Sequence, residues 1–260
     1  MTGSVSIAHD LREALGSASL DIAYQLQWEL APGAPDPFSS TPVTVEALCR
    51  WNHPVLGPIP PDTFIPVAEK TGFLAELDLY VLGKAATQVK EWRDLGFDLG
   101  LAANSSPSPF TMEYAERIVE TLRLSGLAPS ALTIEITETA PPQLRPEMRS
   151  AIEALREVGI AISVDDFNGT ITTIPMLETL PLDEIKIDRA LTRRSDETAD
   201  ELIAALIRTS SEHGWRTVAE GIETVDDLER AWKRHCDRGQ GYLWGQPTSA
   251  EELTRVLSNP

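Results

Sequence analysis

Cysteine and histidine are scarce in this sequence: two and four of 260 residues, respectively. Cys49 and Cys236 stand far apart in no metal-binding spacing. That argues against a disulfide framework and points to a reducing compartment. No apolar run approaches the ~20 residues needed to cross a bilayer. The opening "MTGSVSIAHDLREALG" lacks the basic stretch and apolar run of a signal peptide, so a cytoplasmic protein with no membrane segment is expected. Basic residues are also few: 22 Lys and Arg against 40 Asp and Glu, a formal charge of −18. A DNA or RNA polymer is therefore not an expected partner, since binding it relies on Lys/Arg clusters that release counterions. A small phosphate ligand stays compatible, provided divalent cations sit between it and the carboxylates. No charge run or Gly/Ser linker divides the chain, and residues 1–260 are expected to form one domain.

What is present is a repeated alternation of short apolar strands and amphipathic helices. Strands are expected at Asp21–Glu29, Thr44–Arg50, Leu99–Ser105, Leu132–Glu138, Ala161–Asp166, Glu184–Asp188 and Arg216–Glu220, with a short one ending near Gln240. Helical patterns cover Phe73–Leu95, Glu113–Ser125, Glu147–Val158, Thr198–Glu212 and Val225–Arg234. In "REVGIAISVDDF" a helix ends, Gly159 takes the cap and a β-branched run follows. Alternation of this kind implies a parallel sheet. Eight strands in 260 residues fit an α/β fold of the TIM-like (β/α)8 barrel type better than an open sheet.

Polar residues interrupt these strands at one recurring place, the C-terminal end. They are Glu46, Asn104, Glu135 with Glu138, Asp165 with Asp166, Lys186, Glu220 with Glu223, and Gln240. In such a barrel those ends converge on one face. A strand-terminal acid taken singly is a turn or cap residue, but a cluster of them needs neutralising. Pleating sends Glu46, Leu48 and Arg50 to one side of their strand. Glu135 and Glu138 differ by three, so one of them points inward, and Glu135 is the expected one. Asp165 is expected inward, with Asp166 opening the loop and able to swing to a second cation. The donors are hard oxygens, and none of His9, His53, His213 and His235 lies at a suitable strand end. The set therefore favours Mg²⁺ or Mn²⁺ over zinc. Two such ions would clamp an in-line phosphoryl displacement, with Lys186 donating charge to the transition state.

Seven motifs stand in order: "VEALCRWNHPVLGPIPPDTFIPVAEKTG", "ANSS", "LTIEITE", "VDDF", "LPLDEIKID", "TVAEGIET" and "GQGYLWGQP". On these the sequence resembles the EAL domain, a phosphodiesterase domain specific for cyclic di-GMP, over nearly its whole length. The resemblance implies a barrel whose first strand runs antiparallel to the rest. It implies Glu46, Asn104, Glu135 and Asp165 around a first cation, and Asp165, Asp166 and Glu220 around a second. Glu46, Lys186 and Glu220 become the catalytic candidates, Glu220 orienting the water and Lys186 contacting the water or the scissile phosphate. Gln25, Leu48, Arg50 and Gln240 would line the dinucleotide site, with Glu138 and Glu223 behind, steadying the loop after Asp166. Two Mg²⁺ or Mn²⁺ ions, cleavage of cyclic di-GMP to linear pGpG and a homodimer belong to the same implication.

The sequence departs from the family pattern after "VDDF". There a Gly-Thr/Ala-Gly-Tyr-Ser-Ser loop is usual, and this chain has Asn168-Gly169-Thr170-Ile171-Thr172-Thr173. Fewer glycines make a stiffer loop, which bears on placement of the second cation and on the family's dimer contact. Leu26 replaces a proline of the pattern. An active phosphodiesterase is the reading that every expected ligand supports. The alternative is a weak or silent module acting as a cyclic di-GMP receptor or protein-interaction domain, which draws on the altered loop.

Overall fold

The structure is a computed structural model that describes residues 6–30, 41–105, 110–137, 145–170 and 172–258. Its strands are β1 (Asp21–Glu29), β2 (Pro42–His53), β3 (Gly57–Ile59), β4 (Gly100–Asn104), β5 (Leu132–Thr137), β6 (Ala161–Phe167), β7 (Glu184–Ile187), β8 (Arg216–Ala219) and β9 (Arg238–Gln240). The helices are α1 (Ile7–Gly16), α2 (Pro61–Lys70), α3 (Leu74–Asp94), α4 (Met112–Ser125), α5 (Pro146–Glu157), α6 (Ile174–Leu177), α7 (Arg189–Thr192), α8 (Glu197–His213), α9 (Val225–Lys233) and α10 (Ala250–Ser258).

From β2 through β4 to β9 the neighbouring strands run parallel, and β1 closes the ring by pairing antiparallel with both β2 and β9. The eight-stranded closed barrel with a reversed first strand is thus present as expected. β3 pairs with β2 alone, extending it into a hairpin beyond the barrel rim.

Local chemistry sets the helix ends. Thr111 accepts a hydrogen bond from the Tyr114 N–H to start α4, and Gly126 in the left-handed region stops it. Thr224 and Asp227 form a reciprocal capping box at α9, a device that satisfies two of the orphan N–H groups of a first turn. Pro61 opens α2, where its missing N–H costs nothing.

Two hydrophobic cores result. The larger fills the space between barrel and helices, with Trp92, Phe110 and Phe167 completely or almost completely buried. The second joins α1, the β2–β3 hairpin and α2 through Leu11, Trp51, Phe64 and Phe73, and Leu77 at the start of α3 packs with it. This second core builds a ledge over the barrel mouth. No helix of the described residues is long and apolar enough to cross a membrane.

Several strand ends differ from expectation: β2 runs on to His53 instead of Arg50, and β4, β7 and β8 each stop one residue early. β6 continues through Phe167 rather than stopping at Asp166, and its register with β7 slips between Val164 and Phe167. The cause is Asp166 itself, whose φ of 62° is left-handed and produces a bulge. The strand expected through Glu138 is described as far as Thr137, and Glu138 lies outside the described residues.

Candidate active site

The strand alternation delivers the inward carboxylates to one place. Lys186 on β7 is 1% exposed, and its Nζ lies 3.5 Å from Glu46 Oε2, 3.2 Å from Glu135 Oε1, 3.0 Å from Asp165 Oδ1 and 2.9 Å from Glu220 Oε1. Four strands thus place their acids around one ammonium. Asn104 Nδ2 donates to Glu46 Oε1 at 3.0 Å, and Gln240 Nε2 donates to Glu46 Oε2 at 2.6 Å. Gln240 Nε2 also donates to Gln25 Oε1 at 3.1 Å. Gln25 reaches the mouth from the middle of the reversed β1, directly opposite Glu46 in register.

Asp165, Asp166 and Glu220 bring one carboxylate oxygen each to within 4.8 Å of one another. Adjacent residues on a regular strand would point apart; the left-handed Asp166 lets both acids join the group. Asp166, expected at the start of the loop and able to swing to a second cation, reaches the group through this left-handed turn.

Four acids around one lysine leave negative charge uncompensated, and the ionisation states reflect it. Burial pushes Glu46 up, but Lys186, Gln240 and Asn104 outweigh it and hold the carboxyl below the usual range. Glu135 is pushed well above that range by burial, with Glu46, Asp165 and Glu184 adding repulsion that Lys186 does not cancel. Burial likewise lifts Glu220 to about 8 against the pull of Lys186. Lys186 stays firmly protonated, since its acidic neighbours overcome the cost of burial. The raised values of Glu135 and Glu220 mark a site short of positive charge, which divalent cations would supply.

The donor set fits such ions. Glu135 Oε2 is buried without a hydrogen-bond partner among the described residues, an arrangement that normally carries a desolvation penalty. Asn104 turns its NH₂ to Glu46, and a half-turn of the amide would bring its carbonyl oxygen, the end that can ligate a cation, to the same side. A second acidic group, His9, Asp10 and Glu13 on α1, lies toward the surface, and His53 already engages Asp10 at 3.2 Å.

Beside the carboxylates opens a cleft of about 360 Å³ between the barrel mouth and the ledge. Leu48 and Arg50 of β2 line it, facing Ile65 and Pro66 of α2 and Leu77 of α3, with Asn104, Asp165 and Asp166 at its polar end. Of the four residues expected to line a dinucleotide site, Leu48 and Arg50 stand in this cleft, whereas Gln25 and Gln240 are buried and bonded within the barrel. Glu223 pairs with Arg193 at 3.2 Å instead of reaching the central cluster. Gln27, fully buried, donates to Glu135 at 3.5 Å; its two-residue spacing from Gln25 was the available signal. The α2 wall lies inside the first quoted motif, whereas the α3 wall, Leu77, had no motif to announce it.

The EAL domain family model matches residues 8–247. The cyclic di-GMP phosphodiesterase PA2567 of Pseudomonas aeruginosa is 39% identical over 216 residues, covering 80% of this chain and 36% of the relative. The bifunctional diguanylate cyclase/cyclic di-GMP phosphodiesterase MucR of the same species is 34% identical over 255 residues, covering 96% of this chain and 36% of the relative. The chain thus spans little more than a third of either. The solved structure of the PaMucR phosphodiesterase in complex with c-di-GMP superposes with a TM-score of 0.84 at 34% identity, covering 96% of this chain and all of that one. On the family match and the shared barrel, this chain belongs to the EAL domain family.

Proposed function

We propose that the chain hydrolyses cyclic di-GMP to linear pGpG, lowering the level of the second messenger. The observation that carries this reading is the ring of acids around Lys186 opening into the cleft. Family membership and the activities named for PA2567 and MucR support it.

When bound, two Mg²⁺ or Mn²⁺ ions polarise the scissile phosphate and acidify the attacking water. Glu46, Asn104, Glu135 and Asp165 would hold one ion, and Asp165, Asp166 and Glu220 the other. Glu220 orients the water, whose oxygen attacks phosphorus as the P–O3′ bond breaks. The water's proton leaves through the solvent-facing mouth, and the 3′ oxygen departs protonated. Lys186, held cationic by its neighbours, stabilises the charge that gathers on the phosphoryl oxygens. Leu48 and Arg50 hold the dinucleotide against the ledge, the arginine offering its fork to a phosphate.

The altered loop at 168–173 favours the silent-module alternative, but the candidate ligands are all retained, and hydrolysis is the reading kept. Purified protein with Mn²⁺ and cyclic di-GMP should release linear dinucleotide, and Glu46→Ala should abolish it. Tight binding without product, indifferent to metal, would overturn the proposal.

A further inference from the structure

Gln25 and Gln240 were expected at the dinucleotide, yet both amides are already engaged inside the barrel. Gln25 Nε2 donates to the Gly245 carbonyl at 3.2 Å. Gln240 Nε2 donates to Gln25 Oε1 at 3.1 Å and to Glu46 Oε2 at 2.6 Å. Gln25 and Gln240 are 9% and 4% exposed, so water has little access to mend a wrong pairing.

Only one orientation of the two amides satisfies the contacts to Gly245, Gln25 and Glu46, and it leaves Gln240 Oε1 buried with no hydrogen-bond partner among the described residues. A backbone carbonyl only accepts, so Gln25 must turn its NH₂ toward Gly245. Its oxygen then faces Gln240, which must answer with its own NH₂. The second hydrogen of that NH₂ is left for Glu46. Reversing either amide would set two oxygens against each other in a buried space. The reversed β1 makes the chain of contacts possible by placing Gln25 between β2 and β9, where it opposes Glu46 in register.

We infer that the Gly245 carbonyl, through Gln25 and Gln240, sets the direction of the hydrogen bond that holds the Glu46 carboxylate in position for a cation. Gln25 is a positioning residue acting through Gln240. Asn104 grips the other oxygen of Glu46 at 3.0 Å, so the carboxylate is clamped from both sides. The segment after β9 is thereby tied to the metal end of the cleft. This inference rests on the metal-dependent reading above.

The test is calorimetric titration of Mn²⁺ into the metal-free chain, without dinucleotide, on Gln25→Met, Gln240→Met and the double variant. Thermal melts verify folding. Gln25→Met should weaken Mn²⁺ binding roughly tenfold, the usual scale for a residue supporting a ligand from behind. The double variant should be no worse than Gln240→Met alone, because Gln25 acts only through Gln240. In turnover assays at saturating Mn²⁺, KM for cyclic di-GMP should stay within about twofold for Gln25→Met, as expected of a residue with no substrate contact. Unchanged Mn²⁺ affinity in Gln25→Met, additive losses in the double variant, or a raised KM with unaltered Mn²⁺ binding would each overturn the inference. Wild-type protein that binds no Mn²⁺ would overturn the metal-dependent reading together with it. If Gln25→Met does not fold, Gln25→Asn is used. One methylene shorter, it cannot span both partners, and the same weakening is required of it.

Discussion

Lys186 Nζ lies 2.9 Å from Glu220 Oε1, at the only cation that the cluster of Glu46, Glu135, Asp165 and Glu220 shares among the described residues. Removing that ammonium isolates several buried charges at once. Lys186→Met should lower the stability of the metal-free protein by about 3–5 kcal/mol, the scale for breaking a buried ion pair from one side. Mn²⁺ should recover a larger share of melting temperature in the variant than in the wild type. A melt that does not shift would show that the lysine is not compensating the acids.

Glu220 adds a pH dependence of known sign. Its folded pKa, about 8, lies above the ordinary carboxyl value of 4.5. The native state thus holds a proton that the unfolded chain gives up. The stability this contributes is complete below the unfolded value and is lost as pH climbs through the folded one. The metal-free chain should therefore melt progressively lower between about pH 5 and pH 8.5. Glu220→Gln should flatten that slope, and a slope unchanged by the substitution would contradict the assignment. Since ion binding displaces the proton, Mn²⁺ affinity should rise over the same window.

The loop after Asp166 is tied down in two ways. Asn168 Oδ1 accepts from the Thr170 N–H at 2.9 Å, closing a turn on itself. Gly169 has a φ of +76°, and a Cβ there would meet Leu202 Cδ2 at 2.5 Å. Replacing Asn168 and Thr170 by glycine should raise turnover if this bracing limits the reaction. Equal turnover in steady-state assays would rule the bracing out as the limiting factor. Gly169→Ala should act oppositely, pushing the loop off α8 and weakening binding of the ion nearest Asp166.

Gly241, next to Gln240, has no room for any side chain. A Cβ there would lie 2.1 Å from the Ile222 carbonyl oxygen, a backbone atom that no rotamer change can move aside. Gly241→Ala should lower the melting temperature by several degrees, as expected for a ΔΔG of 1–3 kcal/mol from overpacking. It should also impair metal binding by displacing Gln240 from Glu46.

Much of the site was legible because a strand's period is two. That period put Glu46, Glu135 and Asp165 on the inner face, and their gathering around Lys186 follows once the sheet closes. The limits of β1 were readable from its alternation. What parity cannot carry is a break in parity. Asp166 turns back to the cluster through a left-handed conformation at a residue that is not glycine, and no composition signal marks it. The amide directions of Gln25 and Gln240 were hidden for another reason: they depend on the Gly245 carbonyl, 220 residues from Gln25 in sequence. The motif that carries α2 marked that segment without marking Ile65 and Pro66 as cleft walls, and Leu77 of α3 lay in no motif: ordinary apolar residues are indistinguishable from core until a cavity forms beside them.

The two hydrophobic cores meet only along a seam, bridged by the partly buried Cys49 and Tyr80, which pack against both. The cleft opens along that seam. We predict that the ledge loosens before the barrel opens. Amide hydrogens in α1 and α2 should exchange with solvent sooner than those of β4 to β7. A dinucleotide lodged between the two units would slow the faster set most, because it would join by contact what the chain joins chiefly through β2.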